Sequence, residues 1–236
     1  MKIALASARF VNSDVEGNLQ RIERAMAGVR GKADLICFGE TFLQGFDALC
    51  WQYEKDRHVA VPREGEVMAR LAALTQRYGV DLGLGYIERA EEKLYSSYIV
   101  LVKGQTAHTY RRISRGWKEF RKTDGHYAEG DSVSAFSYGG HTVTVALCGD
   151  LWDMPDRFRC DDLLLWPVYV DYSAAEWQRE IGGYARQAAL ACPCTLMVNS
   201  LSDDPVSHGG AWVLRNGQVA QALPLDTEGV LIVDLP

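Results

Sequence analysis

Four short stretches of the chain are apolar at nearly every position instead of every second one: "LICFG" (35–39), "VDLGLGYI" (80–87), "DLLLWPVYV" (162–170) and "TLMVNS" (195–200). A strand with one wet face alternates apolar and polar residues, so a run that does not alternate must be covered on both faces. Such strands sit inside a sheet that is itself sandwiched between other layers. Between them the pattern becomes helical. Asp14 precedes "VEGNLQRIERAMAGV", and residues 65–78 and 174–191 repeat the same apolar spacing. Strands alternating with helices predict the α/β class.

Antiparallel pairs interrupt that alternation. "LYSSYIVLVKG" and "QTAHTYRRIS" meet at Lys103-Gly104, "AFSYGGHTVTVALC" carries its own Gly-Gly turn, and "GAWVLRNGQVAQAL" turns at Asn216-Gly217. Each half of the chain therefore has strands, helices and a hairpin, which predicts two similar halves packed face to face through their sheets. No Pro- or Ser-rich linker separates them, so residues 1–236 are expected to form one domain. Residues 114–132, "SRGWKEFRKTDGHYAEGDS", break all periodicity while collecting charges, aromatics and glycines, the composition of a long functional loop.

Composition narrows the partners. A hydrophobic content of 47% supplies a sizeable core, and a net charge of −6 without a block of like charges does not match a nucleic acid or an anionic membrane. A small-molecule partner is expected. No apolar run reaches the roughly 18 residues of a membrane span, and the N-terminus alternates, so a cytoplasmic location is expected. Six cysteines, mostly within apolar segments, read as free thiols of a reducing compartment. The "CPC" at 192–194 has no second ligand pair, and Asp150 with Asp153 lacks a third, so neither predicts a metal site. "GLGY" at 83–86 lacks the third glycine of a dinucleotide fingerprint.

Three sets of residues could carry chemistry. Glu40 ends the run "ADLICFGE", at the carboxyl end of a buried strand, where crevices form in α/β sheets. Burial there would raise its basicity. "YRRISRGWK" gathers Arg111, Arg112, Arg115 and Lys118, any of which could stabilise an oxyanion. Cys148 ends the run "VTVALC" and is followed by Gly149, whose freedom to adopt strained angles would turn its N–H toward a reacting group, as in a nucleophile elbow. A thiol nucleophile can instead use histidine as its base. Of His58, His108, His126, His141 and His208, the last, in "SHGGAW", is the best placed for a Cys/His hydrolase.

A carboxylate, a cation and a cysteine, each after a strand and in that order, resemble the nitrilase superfamily of carbon–nitrogen hydrolases, whose triad is Glu-Lys-Cys. "ADLICFGETFLQGF" resembles its glutamate motif, "YRRIS" its lysine motif and "VALCGDLWD" its cysteine motif. "LLLWPV", "YARQAAL", "MVNS" and "SHGGAWVLRNGQV" resemble later segments in the family's order. The resemblance implies a four-layer α-β-β-α sandwich, no metal or organic cofactor, an amide or nitrile substrate, and a homodimer or higher homo-oligomer. The helix over 174–191, rich in small residues, is the expected interface. Carried over by position, Glu40 is the general base and Cys148 the nucleophile.

The lysine does not carry over, because the motif's Tyr-Arg-Lys is here Tyr110-Arg111-Arg112. Lys118 reaching back into the site is the first replacement, with Trp117 walling the pocket. Arg112 itself is the second, holding the oxyanion together with the Gly149 N–H. A site that binds a ligand without turning it over is the third reading. Glu119, Asp124 and Glu129 are candidates for the family's second acid. Trp166 and Tyr169 match the segment that lines the pocket, whereas Asn199 reads as structural.

Overall fold

The fold is described from a computed structural model covering residues 1–236. Five strands form the body of the first sheet in chain order: β1 (Lys2–Ser7), β2 (Leu35–Cys37), β3 (Asp81–Ala90), β4 (Lys93–Val102) and β5 (Gln105–Arg111). The second sheet takes β6 (Ala135–Tyr138), β7 (His141–Val145), β8 (Leu163–Val168) and β9 (Cys194–Asn199). A small separate hairpin follows, β10 (Leu201–Asp203) with β11 (Val206–His208). Then β12 (Ala211–Arg215) and β13 (Gln218–Leu223) complete the second sheet beside β9. The last strand, β14 (Gly229–Asp234), returns to pair antiparallel with β1. Sequence patterning did not reveal β14 or the small hairpin, since both are short and β14 is half-exposed along most of its length.

The helices are α1 (Val15–Val29), α2 (Tyr53–Asp56), α3 (Glu66–Tyr78), α4 (Asp150–Asp153) and α5 (Ala174–Ala189). Their ends follow from local chemistry. Asp14 caps α1 by accepting the Gly17 N–H at 3.0 Å, a contact worth about 1 kcal/mol. Ser173 and Glu176 close a capping box at the start of α5. Gly79, at φ 62°, ends α3 in the left-handed conformation that glycine adopts without strain.

Alternation within each strand divides the interior into layers. Ile3, Leu5, Leu35, Cys37, Tyr98 and Val100 point inward and pack with Val143, Val145 and Leu165 of the other sheet. Their neighbours Ala4, Ala6, Ile36, Phe38, Ile99 and Leu101 face outward onto Leu19, Ile22 and Met26 of α1 and Met68 and Leu71 of α3. On the far side, Trp177, Tyr184, Ala185 and Ala188 of α5 cover the second sheet. The result is the α-β-β-α sandwich. Strands β2 and β8 are covered on both faces, which is why their sequences do not alternate.

The expected hairpins form at Lys103-Gly104 (φ 49° and 83°) and Asn216-Gly217 (φ 48° and 81°). Residues 114–132 contain no helix or strand. No helix is long and apolar enough to cross a membrane.

Candidate active site

The carboxyl end of β8 ties two loops together. Its Pro167 carbonyl accepts the Cys148 N–H at 3.1 Å, and the next carbonyl, Val168, accepts the Glu40 N–H at 3.3 Å. One residue follows a strand of the first sheet and the other a strand of the second, so this junction brings together positions more than a hundred apart in sequence. The Trp166 indole N–H donates to the Cys148 carbonyl at 2.9 Å and fixes the loop from behind.

Glu40 is wholly buried, and its carboxylate is held by two groups. The Ser96 hydroxyl donates to Oε1 at 2.7 Å, and Arg112 Nη1 reaches both oxygens, at 2.9 and 3.1 Å. Arg112 is equally enclosed, with 2% exposure, and its Nε donates to Ser114 Oγ at 2.7 Å. Burial works against the arginine's charge, but Glu40, then Cys148 and Asp150, more than offset it and hold the guanidinium protonated above its ordinary range. An isolated buried charge would be costly, and this pairing removes that cost.

Cys148 lies at φ 37°, a left-handed angle that a non-glycine residue rarely adopts. Its Sγ–H points to the Tyr169 carbonyl at 3.6 Å. Burial, then the neighbouring charge of Glu40, pushes the thiol up to about 12, with Arg112 opposing the rise. At neutral pH the resting group is therefore a thiol. Gly149, where sequence reasoning expected the strain, is at an ordinary helical φ of −64°. Its missing Cβ matters for space instead, since a Cβ there would lie 2.5 Å from Arg112 Nη2.

Asp150 joins the arginine segment to the cysteine segment. Its Oδ1 accepts the Ile113 and Ser114 N–H groups at 3.2 and 2.8 Å, and its Oδ2 accepts the Leu147 N–H at 2.8 Å and the Tyr110 hydroxyl at 2.6 Å. Both oxygens are thus committed to donors, and Asp153 is exposed, an arrangement that makes no cation site of the pair.

The sequence model of carbon–nitrogen hydrolases matches residues 2–236. The chain belongs to the carbon–nitrogen hydrolase family. An (R)-stereoselective amidase from Pseudomonas sp. is 27% identical over 67% of the chain, and a glutamine-dependent NAD(+) synthetase from Aquifex aeolicus is 24% identical over 64%. The aligned region spans 55% of the amidase and 26% of the synthetase. Among solved structures, a CN-hydrolase superfamily protein from Xanthomonas campestris, with an arsenic adduct in its active site, superimposes with a TM-score of 0.80 at 19% identity. That match covers 99% of this chain and 89% of the other. An amidase from Nesterenkonia sp. AN1, seen with acrylamide added at its active-site cysteine, gives 0.80 at 20% identity, covering 100% and 93%.

The remaining expected residues of the chain lie elsewhere. Lys118 does not turn back to Glu40; its Nζ pairs with Glu129 Oε1 at 2.7 Å and donates to the Tyr127 carbonyl. Arg112 is already long enough to reach Glu40, so no second cation is drawn in. Glu129 is therefore the one of the three acids that meets a lysine, while Asp124 contacts His126. Trp117 is not a wall beside Cys148 but packs among Leu49, Ala60, Ile87, Leu94 and Tyr127. Trp166 has no exposed surface and stands behind Cys148 as a support. Tyr169 stacks on Phe46 at 4.8 Å, and its hydroxyl meets Ser202 Oγ at 3.0 Å.

Asn199 is used up in contacts with Val170, Ser207 and Gly209. His208 pairs with Asp226 at 2.7 Å, and no histidine is hydrogen-bonded to Cys148, so the geometry offers no Cys/His pair. Sequence reasoning missed Ser96, Ser114 and Tyr184. Tyr184 packs on Trp166 at 5.4 Å, and burial followed by the nearness of Cys148 raises its phenol above the ordinary range. A serine in the middle of a strand carries no signal of its own, so Ser96 becomes visible only through its partner.

Proposed function

We propose that the chain hydrolyses a small non-peptide amide through a Cys148 thioester, with Glu40 moving the protons and Arg112 supplying the fixed positive charge. The observation that carries this reading is the buried Glu40–Arg112 pair, 2.9 Å apart, beside a cysteine held at φ 37°. Relatives support it, since the Pseudomonas protein is an amidase and a glutamate-to-glutamine mutant of the Nesterenkonia amidase takes both acrylamide and the acetamide moiety of fluoroacetamide at its cysteine.

The steps follow from the groups present. Glu40 takes the Sγ proton as the sulfur attacks the carbonyl carbon, and the negative charge that develops on the carbonyl oxygen is met by the Arg112 guanidinium and the Gly149 N–H. The C–N bond then breaks, and the leaving nitrogen takes the proton from Glu40 to depart as ammonia or an amine. Glu40 next deprotonates a water that attacks the thioester. The acid leaves, and the proton returns to sulfur. A lysine could exchange a proton during these steps, but an arginine held above its ordinary range cannot, so Glu40 carries every proton. Gly182 and Gly183 thin one side of α5, and a homodimer through that helix is the assembly we propose.

The test is a panel of small aliphatic and aromatic amides, with nitriles alongside, followed by ammonia release and by intact-mass detection of an acyl adduct. The reading expects turnover that disappears in Cys148→Ala and Glu40→Gln. Turnover retained by Cys148→Ala would overturn the thioester, and no turnover of any compound with Cys148 unreactive would leave the ligand-binding reading instead.

A further inference from the structure

Arg112 uses two of its three nitrogens on the chain: Nε on Ser114 and Nη1 on Glu40. Nη2 donates to no group of the protein. It lies between two glycines, and a Cβ would come within 2.5 Å of it at Gly149 and within 3.1 Å at Gly116. Neither glycine has a positive φ, so backbone conformation does not call for glycine at either position. What the two positions share is the guanidinium between them. The clash at Gly149 could not be relieved by a flexible side-chain end, because the guanidinium is anchored at both of its other nitrogens.

We propose that Gly149 and Gly116 are positioning residues that form a slot for Arg112 Nη2, keeping that donor beside the nucleophile as the oxyanion ligand, so that a side chain at 149 and an arginine at 112 exclude each other. The proposal rests on the hydrolase reading for its catalytic consequence, but the slot itself is a statement about packing around Cys148. It accounts for the arginine at 112 and the glycine at 149 together. An arginine has one more branch than a lysine, and the branch occupies the volume that a side chain after the cysteine would otherwise fill. A lysine at 112 would leave that volume empty and tolerate a Cβ there.

The experiment is a double-mutant cycle on Gly149→Ala and Arg112→Lys, with Gly116→Ala as a second probe of the slot. For each protein, kcat and KM are measured on the best amide of the panel, and the rate of Cys148 alkylation by iodoacetamide is followed against pH by peptide mass spectrometry. Alanine suits the helical angles at 149, and urea unfolding checks that each variant is folded. Gly149→Ala alone is expected to lower kcat at least tenfold with KM within threefold, and to slow Cys148 labelling at least threefold by displacing the guanidinium. In the Arg112→Lys background the same alanine is expected to change both readouts less than twofold. Equal effects of Gly149→Ala in the two backgrounds would overturn the slot. If the wild type hydrolyses nothing, the hydrolase reading fails on its own, and the labelling cycle still decides the slot.

Discussion

Asp150→Asn tests whether the arginine and cysteine segments are held together as the structure indicates. An amide keeps one acceptor oxygen and turns the other into an N–H2 donor. Placed to keep the Ile113 and Ser114 N–H groups on oxygen, it points its nitrogen at the Leu147 N–H, 2.8 Å from Oδ2, while the Tyr110 hydroxyl can rotate to accept. A buried donor left unsatisfied costs about 1–3 kcal/mol, and the two remaining N–H bonds each weaken by roughly 1 kcal/mol on losing a charged acceptor. The sum is about 3–5 kcal/mol, a large share of the roughly 5–15 kcal/mol that keeps a domain folded. Urea unfolding would read the loss directly. Alkylation of Cys148 under native conditions would report whether residues 147–150 have loosened. A loss below about 1 kcal/mol with unchanged labelling would refute the reasoning and place the junction's strength in the β8 carbonyls instead.

Arg112→Met breaks an almost fully buried ion pair and is expected to cost about 3–5 kcal/mol in urea unfolding, and to lower kcat about a hundredfold or more for want of the oxyanion charge. Lys118→Met removes the pair with Glu129 and the hydrogen bond to the Tyr127 carbonyl and is expected to cost about 1–2 kcal/mol, with kcat within tenfold of wild type in the same assay. Ser96→Ala should cost about 1.5–3 kcal/mol, because the hydroxyl is one of two groups satisfying the Glu40 carboxylate, and an unchanged unfolding midpoint would contradict that. His108, stacked on Phe136 at 4.6 Å, is pushed down by burial to about 4. The native state therefore binds fewer protons than the unfolded chain between about pH 6.5 and 4, and stability contributed by the neutral ring is complete above 6.5 and lost as pH falls through that window. The loss approaches about 3 kcal/mol, and an unfolding series from pH 7 to 4 should show it in the wild type and not in His108→Phe.

The sandwich was legible in the sequence because its strands are covered on both faces and its helices on one, and each condition leaves a distinct spacing of apolar residues. Glycine-bearing turns at 103–104 and 216–217 were legible for a similar reason, since their positive φ angles select residue types locally. Strand β14 left little trace, because a half-exposed edge strand has no full pattern to show.

At the candidate site the division is sharper. Sequence alone determined that a carboxylate, arginines and a cysteine each follow a strand in that order, and that arginine stands at 112 where the family's motif has lysine. Tertiary structure decided that Arg112, and not Lys118, meets Glu40. It also decided that Trp166 supports the Cys148 loop from behind, and that Gly149 has an ordinary helical φ and lies against the Arg112 guanidinium. The physical reason is that reach and volume are relations between side chains from different strands and loops. Residues 40, 96 and 112 meet across the first sheet, 149 joins them where β8 draws the two loops together, and no spacing along the chain encodes the few ångströms that separate them there.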